Sequence, residues 1–123
     1  MYNKGEKRKG AETMNFYGMK RTNHCERDHA IRWAIINEIM GEDYGEPTCE
    51  VWYRNSWNYV TTKGLYIVTN EQRDCIVTAY FPSASRVTKL YSIINKTLSE
   101  DFARDLQKRY WWSQREEDRR MVA

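Results

Sequence analysis

The sequence has only two prolines and six glycines in 123 residues. So few breakers exclude a collagen-like or Pro/Gly-rich low-complexity chain and leave room for several uninterrupted elements. Cysteine is scarce too: Cys25, Cys49 and Cys75 are odd in number, widely spaced and without a C-x-x-C pair. That excludes a disulfide framework and a paired-cysteine zinc motif, and the expectation is a reduced, cytoplasmic protein. Cys25 lies beside His24, yet no second ligand cluster follows at zinc spacing, so no metal is expected. No run of 18 apolar residues occurs, so no membrane-spanning helix is expected. The charged N-terminal stretch lacks the apolar segment of a secretory signal. There is no Walker motif, dinucleotide fingerprint or nucleophile elbow, so no cofactor is expected either. Only two histidines are present, His24 and His29, and any chemistry that needs an imidazole falls on them.

What is present is aromatic: five Trp, nine Tyr and three Phe. Such rings fill cores, line interfaces and stack on bases. The length suits one domain with a single core. The net charge is +3, and its distribution says more than its total. Residues 1–21 hold six Lys/Arg against two Asp/Glu, residues 22–99 eight against nine, and residues 100–123 six against six. The body is therefore close to neutral. This argues against a broad basic surface for non-specific nucleic-acid binding, while leaving room for a few cations focused in one cleft. The expected organisation is a flexible basic arm over 1–21, one α+β domain over 22–112, and a charged, fraying tail over 113–123.

Along the chain, the spacing of Ile31, Ala34, Ile35 and Ile39 predicts a helix over 24–40, capped by Asn23 with Glu26 in capping-box position and closed by Gly41. Alternation predicts strands at 49–54, 59–62, 65–69 and 75–81, with a turn at 55–58, a polar hairpin loop at 70–74 and Pro82 as the stop. Short loops between such strands imply an antiparallel meander of about four strands. Val87, Leu90, Tyr91 and Ile94 fit a helix over 86–95, and Ser99 fits the cap of another. The expected fold is α+β: an N-terminal helix, a small antiparallel sheet and C-terminal helices.

One constellation carries chemistry. His29 and Arg32 are i, i+3 neighbours on the first helix. Thr78 and Tyr80, two residues apart, share one face of the last strand, with Ile76 expected beside them and Val77, Ala79 and Phe81 opposite. Arg54 and Lys63, on or beside the preceding strands, are candidate RNA-binding cations. A neutral His can accept the proton of a ribose 2′-hydroxyl. An Arg can clamp the phosphate and stabilise charge that builds in the transition state. A Thr hydroxyl can orient the phosphate, and a Tyr can stack on a base or protonate the leaving oxygen. Each residue also has a plain structural reading. His29 can pair with Glu26 or Asp28, Arg32 with any surface acid, and strand propensity alone accounts for Thr78 and Tyr80.

The run His29-Ala-Ile-Arg32 on a first helix that ends Ile39-Met40-Gly41, followed by Leu65-Tyr-Ile-Val68, a polar turn and Ile76-Val-Thr78-Ala-Tyr80, resembles the barnase/EndoU/colicin/RelE-like (BECR) nuclease superfamily. It is most similar to small phage- and toxin-associated members. The resemblance covers about residues 24–81. It implies a metal-independent endoribonuclease, toxin-like, with His29 as acid/base, Arg32 as phosphate ligand, Thr78 as an orienting hydroxyl and Tyr80 beside it. It also implies RNA as substrate and a cognate antitoxin or immunity protein as a possible partner. Two other classes stand beside it. The neutral charge and the Trp111-Trp112 pair suit a non-catalytic protein-binding module, such as an immunity protein or a phage inhibitor. The basic N-terminal arm suits a simple nucleic-acid-binding module.

Overall fold

The computed structural model describes residues 16–122; most of the N-terminal arm expected over 1–21 lies outside them. Four strands form the expected antiparallel meander: β2 (Pro47–Tyr53), β3 (Ser56–Thr61), β4 (Tyr66–Thr69) and β5 (Cys75–Tyr80). A fifth strand, β1 (Lys20–Arg21), pairs parallel to the outer edge of β5, with Lys20 opposite Cys75 and Arg21 opposite Ile76. The sheet is therefore mixed, in the order β1-β5-β4-β3-β2, and not the purely antiparallel sheet of four strands that alternation implies. Two residues cannot display a period of two, which is why β1 is invisible to pattern reading. Phe16, just before it, is buried in the core.

The β2–β3 connection is tighter than the turn expected at 55–58. Arg54 and Asn55 both take positive φ, 56° and 61°, as the two-residue loop of a hairpin matched to strand twist requires. β3 therefore begins at Ser56. In β5 the ladder slips by one residue: Val68 faces Thr78 and Thr69 faces Ile76, which leaves Val77 as a bulge. Ile76 is thereby turned into the core cluster that holds Ala79 and Phe81, and does not share the face of Thr78 and Tyr80 as strict alternation suggests.

Helices cover both faces. A π-helical turn (His24–Asp28) leads into α1 (Ala30–Met40), which buries Trp33, Ile36 and Met40 against Trp57, Tyr59, Ile67 and Ala79. The expected Asn23 capping box does not form. Asn23 is itself helical and makes no capping bond, and Thr22 Oγ1 accepts from Cys25 N instead. Gly41 closes the helix at φ +61°, donating to the Asn37 carbonyl. On the other face, α2 (Ala84–Ile93) and the first half of α3 (Glu100–Met121) lay Val87, Leu90, Tyr91 and Leu106 over Cys49, Val51, Val60 and Tyr66. Ser83 and Ser99 cap these helices, accepting from Arg86 N and Phe102 N.

The charged stretch after Trp112, expected as a fraying tail, continues α3 to Met121. Ion pairs hold it. Arg120 forks onto the Glu38 carboxylate of α1 at 3.0 and 2.9 Å and also reaches Glu116, while Ser113 is buried. Truncating the fully buried Ile67 to Ala should cost about 2–5 kcal/mol of stability, and Ser99→Ala about 1 kcal/mol. Urea unfolding of the two variants should reproduce that order.

Candidate active site

Thr22 connects the sheet to the π-helical turn that leads to His29. His29 sits outside helical geometry, at φ −124° and ψ 37°, as the N-cap of α1, so His29 and Arg32 do not share one regular helix as expected. The backbone N–H of Thr22 donates to the Ile76 carbonyl, its hydroxyl donates to Val77 O and accepts from Cys25 N. Chain direction is thus set by the edge of β5, and the turn that follows is wound wide. An α-turn stacks residues three or four apart, whereas a π-turn stacks residues about five apart. His24 and His29 are five apart. Their rings meet edge to face at 90°, centroids 4.9 Å apart, with the two Nε2 atoms at 3.3 Å. On its far side His24 Nδ1 lies 2.8 Å from Asp28 Oδ2. A carboxylate accepts only, so His24 donates from Nδ1, and its Nε2 is left to share a proton with His29. Asp28 and His24 thereby fix the orientation of the His29 ring.

His29 is half-buried, and its pKa is pushed below the ordinary histidine value, first by burial, then by the Arg32 guanidinium, then by His24. Arg32 is three-quarters covered. Its Nε is buried 3.6 Å from Glu117 Oε2, within ion-pair range but without a hydrogen bond. Among the described residues, its terminal amino groups make no hydrogen bond. Its Cζ lies 6.0 Å from the centre of the Tyr80 ring, at the outer limit of a cation–π contact. Burial pushes the Tyr80 phenol up, so it stays protonated near neutral pH, although Arg86 and Arg32 pull the other way. Tyr80 stacks at 4.9 Å on Tyr66, whose hydroxyl donates to Asn58 Oδ1 at 2.7 Å.

The structure thus brings Arg32 towards Tyr80 at the edge of β5 beyond β1, while His29 stays on the α1 side, where the Arg32 charge acts on it. Thr78 sits two residues before Tyr80 on the same face, half-buried, opposite Val68; its hydroxyl bonds none of these groups. Arg54 and Lys63 are elsewhere. Arg54 lies in the β2–β3 turn, 5.1 Å over the Tyr53 ring. Lys63 lies in the β3–β4 connection, where its Nζ is 3.0 Å from Asp43 Oδ2 and donates to the Asp43 carbonyl at 3.2 Å, so its charge is already matched. That bond also holds the Asp43 carboxyl below its usual range. Glu117 and Arg86 were not legible as site neighbours, and Asp28, expected as a partner of His29, pairs with His24 instead. Glu117 comes from a helix 85 positions downstream of Arg32, and no sequence signal links the two. Among the described residues, no three His, Cys, Asp or Glu side chains are grouped to hold a metal ion. Comparison with protein-family models, curated protein sequences and solved structures finds no match to this chain.

The chemistry available is that of a neutral imidazole, a guanidinium whose terminal amino groups make no hydrogen bond among the described residues, and a protonated phenol. Lowering of the His29 pKa in the folded state means that the unfolded chain binds the proton more tightly. The stability linked to this residue is present above the unfolded value, about 6.5, and is lost as pH falls through the folded one. An NMR titration should place His29 below ~6.5, and Arg32→Gln should move its midpoint upward. A His29 midpoint unmoved by Arg32→Gln would show that the guanidinium does not act on the ring.

Proposed function

We propose that the chain is a metal-independent endoribonuclease that cleaves RNA by attack of a ribose 2′-hydroxyl on the adjacent phosphorus. The observation that carries this reading is Arg32, whose terminal amino groups make no hydrogen bond among the described residues, whose Cζ lies 6.0 Å from the centre of the Tyr80 ring, and whose charge lowers the His29 pKa. In the reaction His29, aligned by His24 and Asp28, takes the 2′-hydroxyl proton. The O2′–P bond forms as P–O5′ breaks, leaving a cyclic phosphate on one product. Arg32 donates to the non-bridging oxygens as their charge grows. The leaving 5′-oxygen takes its proton from Tyr80. An alkoxide is a stronger base than a phenolate, so the transfer runs downhill even from a phenol whose pKa is raised. His29 then releases its proton to solvent, and Tyr80 regains one. Thr78, on the same face, orients the ribose or phosphate. The resemblance to BECR nucleases, including the toxin-like members, points the same way.

In bulk-RNA cleavage with EDTA present, His29→Ala should lower the rate roughly 10²–10⁴-fold. His24→Ala should cost less, because it removes only the alignment of the base. Equal cutting by wild type and His29→Ala, or no cutting by either, rules the enzyme out.

A second reading has one observation of its own. Trp111 is 55% exposed on α3, and Trp is the commonest interface anchor. A non-catalytic protein-binding module would lose its partner, an antitoxin or immunity protein, on Trp111→Ala and would leave RNA intact throughout.

A further inference from the structure

Beyond Tyr80, the same face of the sheet carries a groove of about 160 Å³ between β2, β4 and α2, lined by Tyr53, Tyr66, Arg86, Lys89, Leu90 and Ile93. Its walls are of two kinds. One is apolar and aromatic: Tyr53 is half-buried, and Ile93 leaves 47% of its surface in solvent although it lies on a helix that packs on the core. The other is cationic. Arg86 and Lys89 are exposed, and among the described residues neither has an acidic partner or a side-chain hydrogen bond. No carboxylate lines the groove.

The positive charge continues at both ends. Arg54 sits over the Tyr53 ring at 5.1 Å. At the other end Arg86 acts on both the Tyr66 and Tyr80 phenols, and Arg32 approaches Tyr80 from the α1 side. Tyr66 and Tyr80 are stacked on each other, so the groove and the His29 site share a wall. Cations without acids beside half-open aromatic and apolar surface form the pattern that holds single-stranded nucleic acid, phosphates on the charges and a base on the apolar wall.

We propose that this groove is a nucleotide subsite for single-stranded RNA: it seats the base of a residue flanking the scissile bond against Tyr53 and Ile93, and holds its phosphates on Arg86 and Lys89. The inference deepens the ribonuclease reading and rests on it for the word scissile, but binding in the groove does not need cleavage.

The test uses the full chain and a 2′-O-methyl RNA octamer, which lacks the attacking hydroxyl and so reports binding alone. Affinity is measured by fluorescence anisotropy across a salt series. Arg86→Gln/Lys89→Gln should weaken binding and reduce the slope of log K against log salt by about 1.4, since each single-strand phosphate contact contributes roughly 0.7. Both side chains are exposed and unpaired, so thermal melting of the double variant should match wild type. Arg104→Gln, which removes a cation paired with Asp101 elsewhere on α3, should leave the slope unchanged. An unchanged slope and affinity in the double variant overturns the subsite, and so does equal loss on Arg104→Gln. Wild-type binding to an acidic peptide as tightly as to RNA overturns it as well, by showing a general anion surface. Separate scoring of RNA cleavage in EDTA keeps the two proposals apart. Cleavage with an unaltered slope in the double variant removes the groove and keeps the enzyme, whereas groove-dependent binding without cleavage removes the enzyme and keeps the groove.

Discussion

The pairing of residues 20–22 with one edge of β5 sets where everything else at the site can be. Three backbone positions, Lys20, Arg21 and Thr22, run parallel to β5 as far as the Ile76 and Val77 carbonyls and then turn away. Because β1 stops there, the remaining edge of β5 is left without a strand, and the helix that follows packs beside it. An exposed strand edge is normally a liability to be covered. Here the cover consists of the π-turn and α1, and from α1 the Arg32 guanidinium extends towards Tyr80. The Thr22 hydroxyl serves both partners at once, as donor to the sheet and as cap to the turn.

Two irregularities then decide which atoms meet. The π-turn puts His24 beneath His29, where a regular α-helix would have set them about two-fifths of a turn apart. The bulge at Val77 separates Ile76 from Thr78 and Tyr80, so the strand can bury Ile76 under α1 and still present Tyr80 on the other face, towards α2. Bulges and π-turns cluster at functional sites because each re-aims one side chain without disturbing the ladder beyond it.

These same irregularities mark the limit of what the sequence discloses. The meander, the helix ending at Gly41 and the cap at Ser99 follow from short-range patterns: alternation, one glycine at positive φ, a hydroxyl one position ahead of a helix. His29, Arg32 and Tyr80 are legible as candidates because spacing puts two on one helix and the third on a strand. The parts that escape depend on contacts distant in the chain. The β1 strand needs β5 to exist at all. Glu117 reaches Arg32, and Arg120 reaches Glu38, only once α3 lies against α1. Lys63 looks free in sequence and is matched by Asp43 from another loop. An expectation that every cation near a strand serves the cleft ignores that most cations are already answered.

That last point resolves the tension between a near-neutral body and a reading that needs polyanion binding. Along α3 and its contact with α1, the carboxylates of Asp101, Glu116 and Glu38 take up Arg104, Arg119 and Arg120. The hydrogen bonds hold Glu38 and Glu116 below the usual carboxylate range, as expected where guanidinium and carboxylate neutralise each other locally. Acidic residues are thus concentrated where they stabilise helix packing. On the face of Thr78 and Tyr80 the balance differs: Arg86 and Lys89 have no acidic partner, and Glu117 meets only the buried Nε of Arg32, leaving the outer end of the fork open. Net charge averages over these two regions and conceals the difference. Field strength at a cleft depends on the uncompensated charges within about a Debye length, roughly 10 Å at 0.1 M salt, and near Tyr80 that charge is the guanidinium of Arg86, while Arg32 shares its charge with Glu117. A chain can therefore carry almost no excess charge and still present an anion with a directed, positive path across one sheet face.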